Sequence, residues 1–166
     1  MNACKAQAIA ARTYAIFNGV LDGKVISDSY KVAQAFRAKR MSFDICKQAV
    51  METRGMVLYY NNKPINAVYS NSNGGRTVSA KTKWGSAKAY LIEQDDPWDR
   101  AFGAKKDGHG VGMSQCGARW AAEHGVDYID ILKFYYPNTI IKINYGQDNG
   151  LVTIKQLIEE ILESLK

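Results

Sequence analysis

Asn2-Ala3-Cys4-Lys5-Ala6-Gln7-Ala8-Ile9-Ala10-Ala11-Arg12-Thr13-Tyr14-Ala15-Ile16-Phe17-Asn18 decides how the rest of this chain is read. Ala3, Ala6, Ala8, Ala10, Ala11 and Ala15 put the strongest helix former on nearly every face, with Ile9, Ile16 and Phe17 as the larger apolar groups. Small side chains let neighbouring elements approach closely, so the stretch predicts a central helix. Gln7, Arg12 and Tyr14 are its polar exceptions. A guanidinium in such a place needs a carboxylate or carbonyl partner, either as an internal tie holding the core or as part of a binding site.

The bulk numbers set the frame. At 166 residues and 46% hydrophobic content, one domain with a real core is the simplest organisation. The formal charge of +6 suits anionic surroundings: cell-wall polymer, a membrane surface or nucleic acid. The 22 Lys and Arg are scattered, and the one basic knot, Arg37, Lys39 and Arg40, lacks interleaved aromatics, so no nucleic-acid partner is expected. Cys4, Cys46 and Cys116 are odd in number and show no CxxC spacing, which argues against a disulfide framework or a zinc knuckle. Beside His109, Cys116 reads either as a thiol nucleophile or as a small buried thiol, and the second is the simpler. No stretch reaches the roughly 18 apolar residues of a membrane span. Lys5 and Arg12 interrupt the start, so no signal peptide is read there.

Outward from the first helix, Asp22-Gly23 makes a turn, and residues 25–36 are ambiguous. Ser42 caps a helix through Arg54, with Ile45, Ala49, Val50 and Thr53 inward and Gly55 as the stop. A hairpin follows, Met56–Tyr60 and Pro64–Ser70, joined across Asn61-Asn62. The polar loop Asn71–Thr77 reads either as ordinary loop chemistry or, through Gly74-Gly75, as a backbone approach to a ligand; without a following GK[ST] it is no phosphate loop. In Asp95-Asp96-Pro97-Trp98-Asp99 the carboxylates would suit a metal or acid–base chemistry, but Pro97 and the spacing favour a solvated turn.

Gly108-His109-Gly110-Val111-Gly112-Met113-Ser114-Gln115 then leads into a helix to His124, ended by Gly125. Such a corner offers close backbone approach and free N–H donors to a polar ligand, or is a tight loop with a capped histidine. Asp127 caps a helix over Tyr128–Tyr136, stopped by Pro137, and Thr139–Tyr145 reads as a strand. Thr153 and Gln156 form a capping box for a last helix with one apolar face, which packs on the domain or in a dimer. The whole reads as a single α+β domain: an Ala-rich central helix packed with an antiparallel sheet that contains the hairpin, and with further helices.

Taken in order, these segments resemble the SpoIID/LytB family of bacterial cell-wall proteins. The matches are Lys5 through Tyr14; Ala49-Val50, Thr53 and Gly55; Tyr69, Ser72, Gly74, Gly75 and Thr77; His109 through Gln115 with Gly117-Ala118; and Ile131-Leu132 with Tyr135-Tyr136-Pro137. They run from residue 3 to about residue 141. The resemblance implies a protein acting on peptidoglycan glycan strands, in the cell wall or otherwise outside the cytoplasm. The family reaction is lytic transglycosylation, which cleaves the bond from N-acetylmuramic acid to N-acetylglucosamine and leaves a 1,6-anhydro product. One carboxyl with a raised pKa serves both proton transfers. LytB-type members imply the alternative, an enhancer of a cell-wall amidase or a non-catalytic glycan-binding module.

The departures are as telling as the matches. In the family the acid is a glutamate three residues before the lysine of Lys-Ala-Gln, and here that position is Asn2. An amide cannot supply the proton, so the resemblance implies weakened or absent catalysis, unless Asp28 or Glu52 substitutes. Some family members bind zinc through Cys and His in the stretch matching residues 26–36, which holds neither here, so no metal and no cofactor are expected. The span between Trp84 and His109 is short for the family. The resemblance thus implies a SpoIID-like domain over residues 1–146, short at its N-terminus, followed by the 147–166 helix. Gln7, Arg12, Tyr14, Ser72, Gly74, Gly75, Thr77, His109, Ser114 and Gln115 are implied to converge on one glycan groove. There His109 either orients the acid, bonds the sugar, or is a structural histidine tied to a backbone carbonyl.

Overall fold

In the computed structural model, residues 1–25 and 43–143 are described. The zinc-like stretch at 26–36 with Asp28, the basic knot, the Ser42 cap and the 147–166 helix lie outside them. The Ala-rich stretch forms α1 (Asn2–Phe17), with Ala6, Ile9, Ala10 and Thr13 buried. Thr13 Oγ1 donates to the Ile9 carbonyl at 2.7 Å and accepts the Leu58 N–H at 3.1 Å, which ties α1 to the strand beside it. The small faces of α1 admit neighbours on several sides: α2 (Phe43–Glu52), α5 (Gln115–Glu123), α6 (Tyr128–Tyr135) and β1 (Val57–Tyr60) all pack on it.

The Arg12 partners are carbonyls. Its guanidinium donates to Val50 O at 3.3 Å in the last turn of α2, and to Thr53 O at 2.8 Å and Met56 O at 3.0 Å in the turn that leads from α2 to β1. Burial lowers its pKa from the ordinary arginine value. On α2 itself Ala49 and Thr53 are fully buried as expected, but Ile45 and Val50 are 45% and 49% exposed, contrary to the apolar stripe read from the sequence. The α1–α2 contact centres on the small side chain of Ala49 and on the Arg12 fork, so the larger residues are turned to its flanks.

The hairpin turn is as read: Asn61 and Asn62 both take the left-handed conformation, with φ of 48° and 59°. Its second arm is far shorter than Pro64–Ser70. β2 covers only Lys63–Pro64, antiparallel to β1. Tight bonds from Ala67 N to Ile65 O (3.0 Å) and Val68 N to Asn66 O (2.9 Å) then bend the chain away. Buried Ile65 and Ala67 enter the core instead of continuing the ladder. β3 (Tyr69–Ser70) pairs in parallel with β4 (Met113–Ser114), a pairing with no signal in the sequence, and β5 (Ile140–Lys142) completes a three-stranded antiparallel sheet on β1.

The acidic run is a helix start. Asp96 caps α4 (Pro97–Phe102) by accepting the Asp99 N–H at 2.9 Å, Pro97 occupies the first turn, and both Asp96 and Asp99 are completely buried. A short α3 (Ala80–Trp84) is capped by Ser79. Ser114 caps α5 and Asp127 caps α6, both as read. Ile9, Leu58, Ile65, Leu91, Val111, Met113, Leu132 and Tyr136 fill one core to which α1, β1, β4 and α6 contribute. The molecule is therefore a single α+β domain built on α1. Among the described residues no helix is long and apolar enough to cross a membrane.

Two glycines of the second motif have structural necessity. Gly112 sits at φ +69°, and a Cβ there would run into the Val68 carbonyl. At Gly117 a Cβ would meet the Tyr135 hydroxyl and lie 3.1 Å from Asp99 Cβ. Gly117→Ala is therefore expected to destabilise the fold by about 3 kcal/mol, lowering the thermal midpoint by roughly 6–12 °C. Thermal unfolding followed by circular dichroism measures this, and an unchanged midpoint would contradict the packing described.

Candidate functional site

The loops that the sequence marked for ligand contact are held by the two buried carboxylates. Asp99 Oδ1 accepts the Ser114 hydroxyl at 2.6 Å; Oδ2 accepts the Ser72 hydroxyl and the Gly75 N–H, each at 2.9 Å. Asp96 Oδ2 accepts Asn73 Nδ2 and the Tyr135 hydroxyl, each at 2.7 Å. Ser72 and Ser114 in turn accept the Gly74 and Gly117 N–H groups at 3.1 Å. Each carboxylate thus receives three donors, and no ion pair to either is found among the described residues. Its own burial, with the carboxylate of Asp96 beside it, drives the Tyr135 hydroxyl far above the ordinary tyrosine range. Thr77 is likewise spoken for: its hydroxyl donates to Ile92 O at 2.8 Å and accepts Gln94 N–H at 2.9 Å.

Of the groove residues named from the sequence, then, Ser72, Gly75, Thr77 and Ser114 are buried with internal partners, and Arg12 serves α2. Gly74 lies on the surface against Lys106. Gln7, Tyr14, His109 and Gln115 are the ones brought together at an accessible face, and Tyr69 links them. Gln7 Oε1 accepts Gln115 Nε2 at 3.2 Å, and Gln7 also bonds the Tyr69 hydroxyl. Burial pushes the Tyr69 phenol up to about 12, and the neighbouring Tyr14 adds to the shift.

His109 stands on the other side of Tyr69. Its Nδ1 accepts the Val111 N–H at 3.0 Å, and the ring bonds the Tyr69 backbone, which sets the proton on Nε2. Desolvation lowers its pKa, with Lys83 and Lys106 adding to the effect. The ring is therefore neutral at pH 7 and committed at both nitrogens. The ring makes a T-shaped contact with Trp84, with ring centroids 5.3 Å apart; Trp84 itself is 47% exposed.

Asn2 lies in the first turn of α1, half-buried, its side-chain amide donating to the Val126 carbonyl at 3.2 Å. The Gln7–Gln115 and Asn2–Val126 contacts belong to one seam, where α1 meets the two ends of α5. Next to Asn2, Lys5 pairs with Glu52 at 2.6 Å and stands 5.4 Å over the Tyr128 ring. Hydrogen bonds from Lys5 and Gln48 hold the Glu52 carboxyl below the ordinary range. An acid catalyst at neutral pH needs the opposite shift. Among the described residues no group of three or more His, Cys, Asp or Glu is arranged to hold a metal ion.

A family profile described as Stage II sporulation protein matches residues 1–60, the stretch that holds α1, α2 and β1. Stage II sporulation protein D of Bacillus subtilis (strain 168) is 25% identical, over 84% of this chain and 68% of its own length. The amidase enhancer of the same organism is 38% identical over 103 residues, 62% of this chain and 14% of its own length. The chain is similar to the SpoIID/LytB family. A second Stage II sporulation protein D, from Bacillus amyloliquefaciens, is 25% identical over 81% of this chain and 66% of its own length. The alignment to the Bacillus subtilis sporulation protein extends over 237 positions, more than the 166 residues present here, so that relative carries inserted stretches.

Two residues of the accessible face were not singled out from sequence as site residues. Tyr69 was quoted only as a motif match, and its alternation with buried Val68 and Ser70 was its one positional signal. Trp84 ends α3 among lysines, and only the structure brings it to His109.

Asp99→Asn tests the loop tie directly. An amide nitrogen cannot accept from the fixed Gly75 N–H or oppose two hydroxyl donors without one mismatch, and the cost is about 3 kcal/mol. Urea unfolding is expected to show it, together with faster amide exchange at Gly74, Gly75 and Gly117. For His109 the folded pKa is below the unfolded 6.5, so its contribution to stability is fully present above that value and is lost as pH falls toward the folded pKa. His109→Gln is expected to flatten that part of the acid limb of a stability–pH curve; an identical limb would show that His109 is not responsible.

Proposed function

We propose that this chain is a cell-wall protein that engages peptidoglycan glycan strands along the face formed by Gln7, Tyr14, Tyr69, Gln115, His109 and Trp84. Ser72, Gly74, Gly75, Thr77 and Ser114 give that face its shape rather than its contacts, and Arg12 anchors the helix that carries it. The family reaction is lytic transglycosylation, and the chain with Asn2 at the acid position is weak or silent in it. In this reading it acts outside the cytoplasm, with residues 1–146 as the working unit.

The single observation that carries the proposal is Asn2 itself. It occupies the first turn of α1 at the end of an intact Lys5–Tyr14 motif, and its amide is already engaged with Val126. The surroundings suit neutral sugars: amide and hydroxyl groups for N-acetyl and hydroxyl contacts, tyrosine and tryptophan faces for rings. What is missing is the proton donor. Glu52, ionised and paired with Lys5, does not replace it. General acid–base catalysis is worth roughly 10²–10⁴-fold in rate, so its loss leaves binding with little cleavage.

A second reading, enhancement of a cell-wall amidase, is favoured by the 38% identity to the amidase enhancer. Binding glycan and presenting it to an amidase requires no acid at position 2.

Incubating peptide-free glycan strands with this chain and with Asn2→Glu, and analysing soluble products by mass spectrometry, tests both. Release of 1,6-anhydro-muramic products by Asn2→Glu alone, at a rate about 10²-fold or more above the unaltered chain, supports the first reading. Glycan binding without products from either protein, with faster release of stem peptide by an added amidase, moves the assignment to the second. No binding by either protein overturns both, and cleavage by the unaltered chain would show that the acid lies elsewhere.

A further inference from the structure

Two lysines converge on the His109 loop from different elements. Lys106 lies along both glycine-rich loops: a Cβ on Gly74 would stand 3.2 Å from Lys106 Cβ, and one on Gly110 would stand 3.0 Å from its Cε and 3.2 Å from its Nζ. The side chain therefore runs from the first loop to the second and sets its ammonium beside Gly110, the residue after His109. Lys83 comes from α3. The Val78 N–H donates to the Gly110 carbonyl at 2.8 Å, which ties the chain just before α3 to the same loop, and Lys83 directly precedes the Trp84 whose ring meets His109. Both lysines are exposed, and among the described residues neither makes an ion pair. Asp107, next to Lys106, accepts Asn71 Nδ2 at 2.9 Å. Two cations beside a neutral imidazole, with no counter-charge from the described chain, make a local field that suits an anion.

We propose that Lys83, Lys106 and Trp84 form a binding site for a linear polymer of polyol phosphodiesters, its carbon skeleton lying on the Trp84 ring and its phosphate reached by both ammoniums. Phosphate rather than carboxylate follows from the donors. An ammonium acts as a point charge on a tetrahedral phosphate, whereas a planar carboxylate is matched by an arginine fork. The two arginines around Gly75, Arg76 and Arg100, are already paired with Glu93 and Asp95.

A polyol chain suits the apolar part of the site better than a bilayer does. From Lys81 to Lys88 the sequence holds no large apolar side chain besides Trp84, and that ring is engaged by His109, so no apolar cluster is offered to lipid. One exposed ring likewise provides no series of stacking surfaces for the bases of a nucleic acid. The site extends the glycan reading at one end of its face, sharing Trp84 and His109 with it. Its ligand carries no N-acetyl sugar, so the two readings are tested apart.

Binding of glycerol phosphate oligomers, measured by titration calorimetry over a range of salt concentrations, tests the proposal. The proteins are the unaltered chain, Trp84→Ala, a double variant Lys83→Gln with Lys106→Gln, and a control of equal charge, Lys81→Gln with Lys105→Gln. Far-ultraviolet circular dichroism checks that each is folded. The unaltered chain is expected to bind, with affinity falling as salt rises. Loss of Lys83 and Lys106 is expected to weaken binding about tenfold or more and to flatten the salt dependence. Trp84→Ala is expected to weaken binding and leave the salt dependence as it was, and the control pair to stay within about threefold of the unaltered chain. No binding, an equal loss in the control pair, equal affinity for polyglutamate of matched charge, or tighter binding to phosphatidylglycerol vesicles or single-stranded DNA would each overturn the proposal. Neutral N-acetylglucosamine oligomers, titrated in parallel, report on the glycan reading alone, and their binding is expected to survive the Lys83 and Lys106 substitutions.

Discussion

The carboxylate of Asp99 is the constraint on which the rest of the molecule depends. It is wholly buried, carries no counter-ion among the described residues, and is satisfied by donors from two distant segments, Ser72 with Gly75 and Ser114. Burying such a group without its donors would be ruinous, so the three segments must arrive together. Asp96 repeats the arrangement one turn earlier through Asn73 and Tyr135, which brings in α6. The glycine-rich loops are positioned by this pair, and Gly117 is small because Asp99 and Tyr135 leave no room for more. Residues that look like ligand contacts in a motif are here the internal fastening of the surface that would make such contacts.

The first helix supplies the complementary economy. Its alanines permit close approach by α2, α5, α6 and β1, and its few polar residues divide by face. Thr13 and Arg12 turn inward and complete the hydrogen bonding of β1 and α2; Gln7 turns toward Tyr69 and Gln115. Asn2 and Lys5 crown the N-terminal turn beside Glu52 and Tyr128. A single element thus stabilises the domain and presents a surface, with neighbouring residues assigned to different tasks by helical phase alone.

Much of this was legible in advance where one local signal decides the structure. Periodicity and composition delimited α1, side-chain caps marked α5 and α6, and two consecutive asparagines announced the hairpin turn. Long-range pairing left no such mark. The run from Pro64 to Ser70 has the composition of one strand, yet two tight turns divide it and send Tyr69 to a partner beyond residue 110. Asp95 to Asp99 reads as a solvated turn because burial of a carboxylate is visible only once its donors, far away in sequence, are in place. Ile45 and Val50 fail for a related reason: which face of α2 turns inward is decided by a guanidinium on another helix. At the candidate site, sequence located the right loops and overstated how many of their side chains are free to reach outward.

The parallel pair between Tyr69–Ser70 and Met113–Ser114 has a consequence for how the chain reaches this state. Its two rungs return little until the whole intervening loop has been closed, and the partners of Asp99 lie within and at the edge of that loop. The hairpin can form from local contacts, whereas the pairing of α1 with α2, through Lys5 and Glu52, and the glycine-rich surface each wait on closure of a long loop. A chain in which that loop has not closed would possess its helices without the glycine-rich surface that Asp99 fastens.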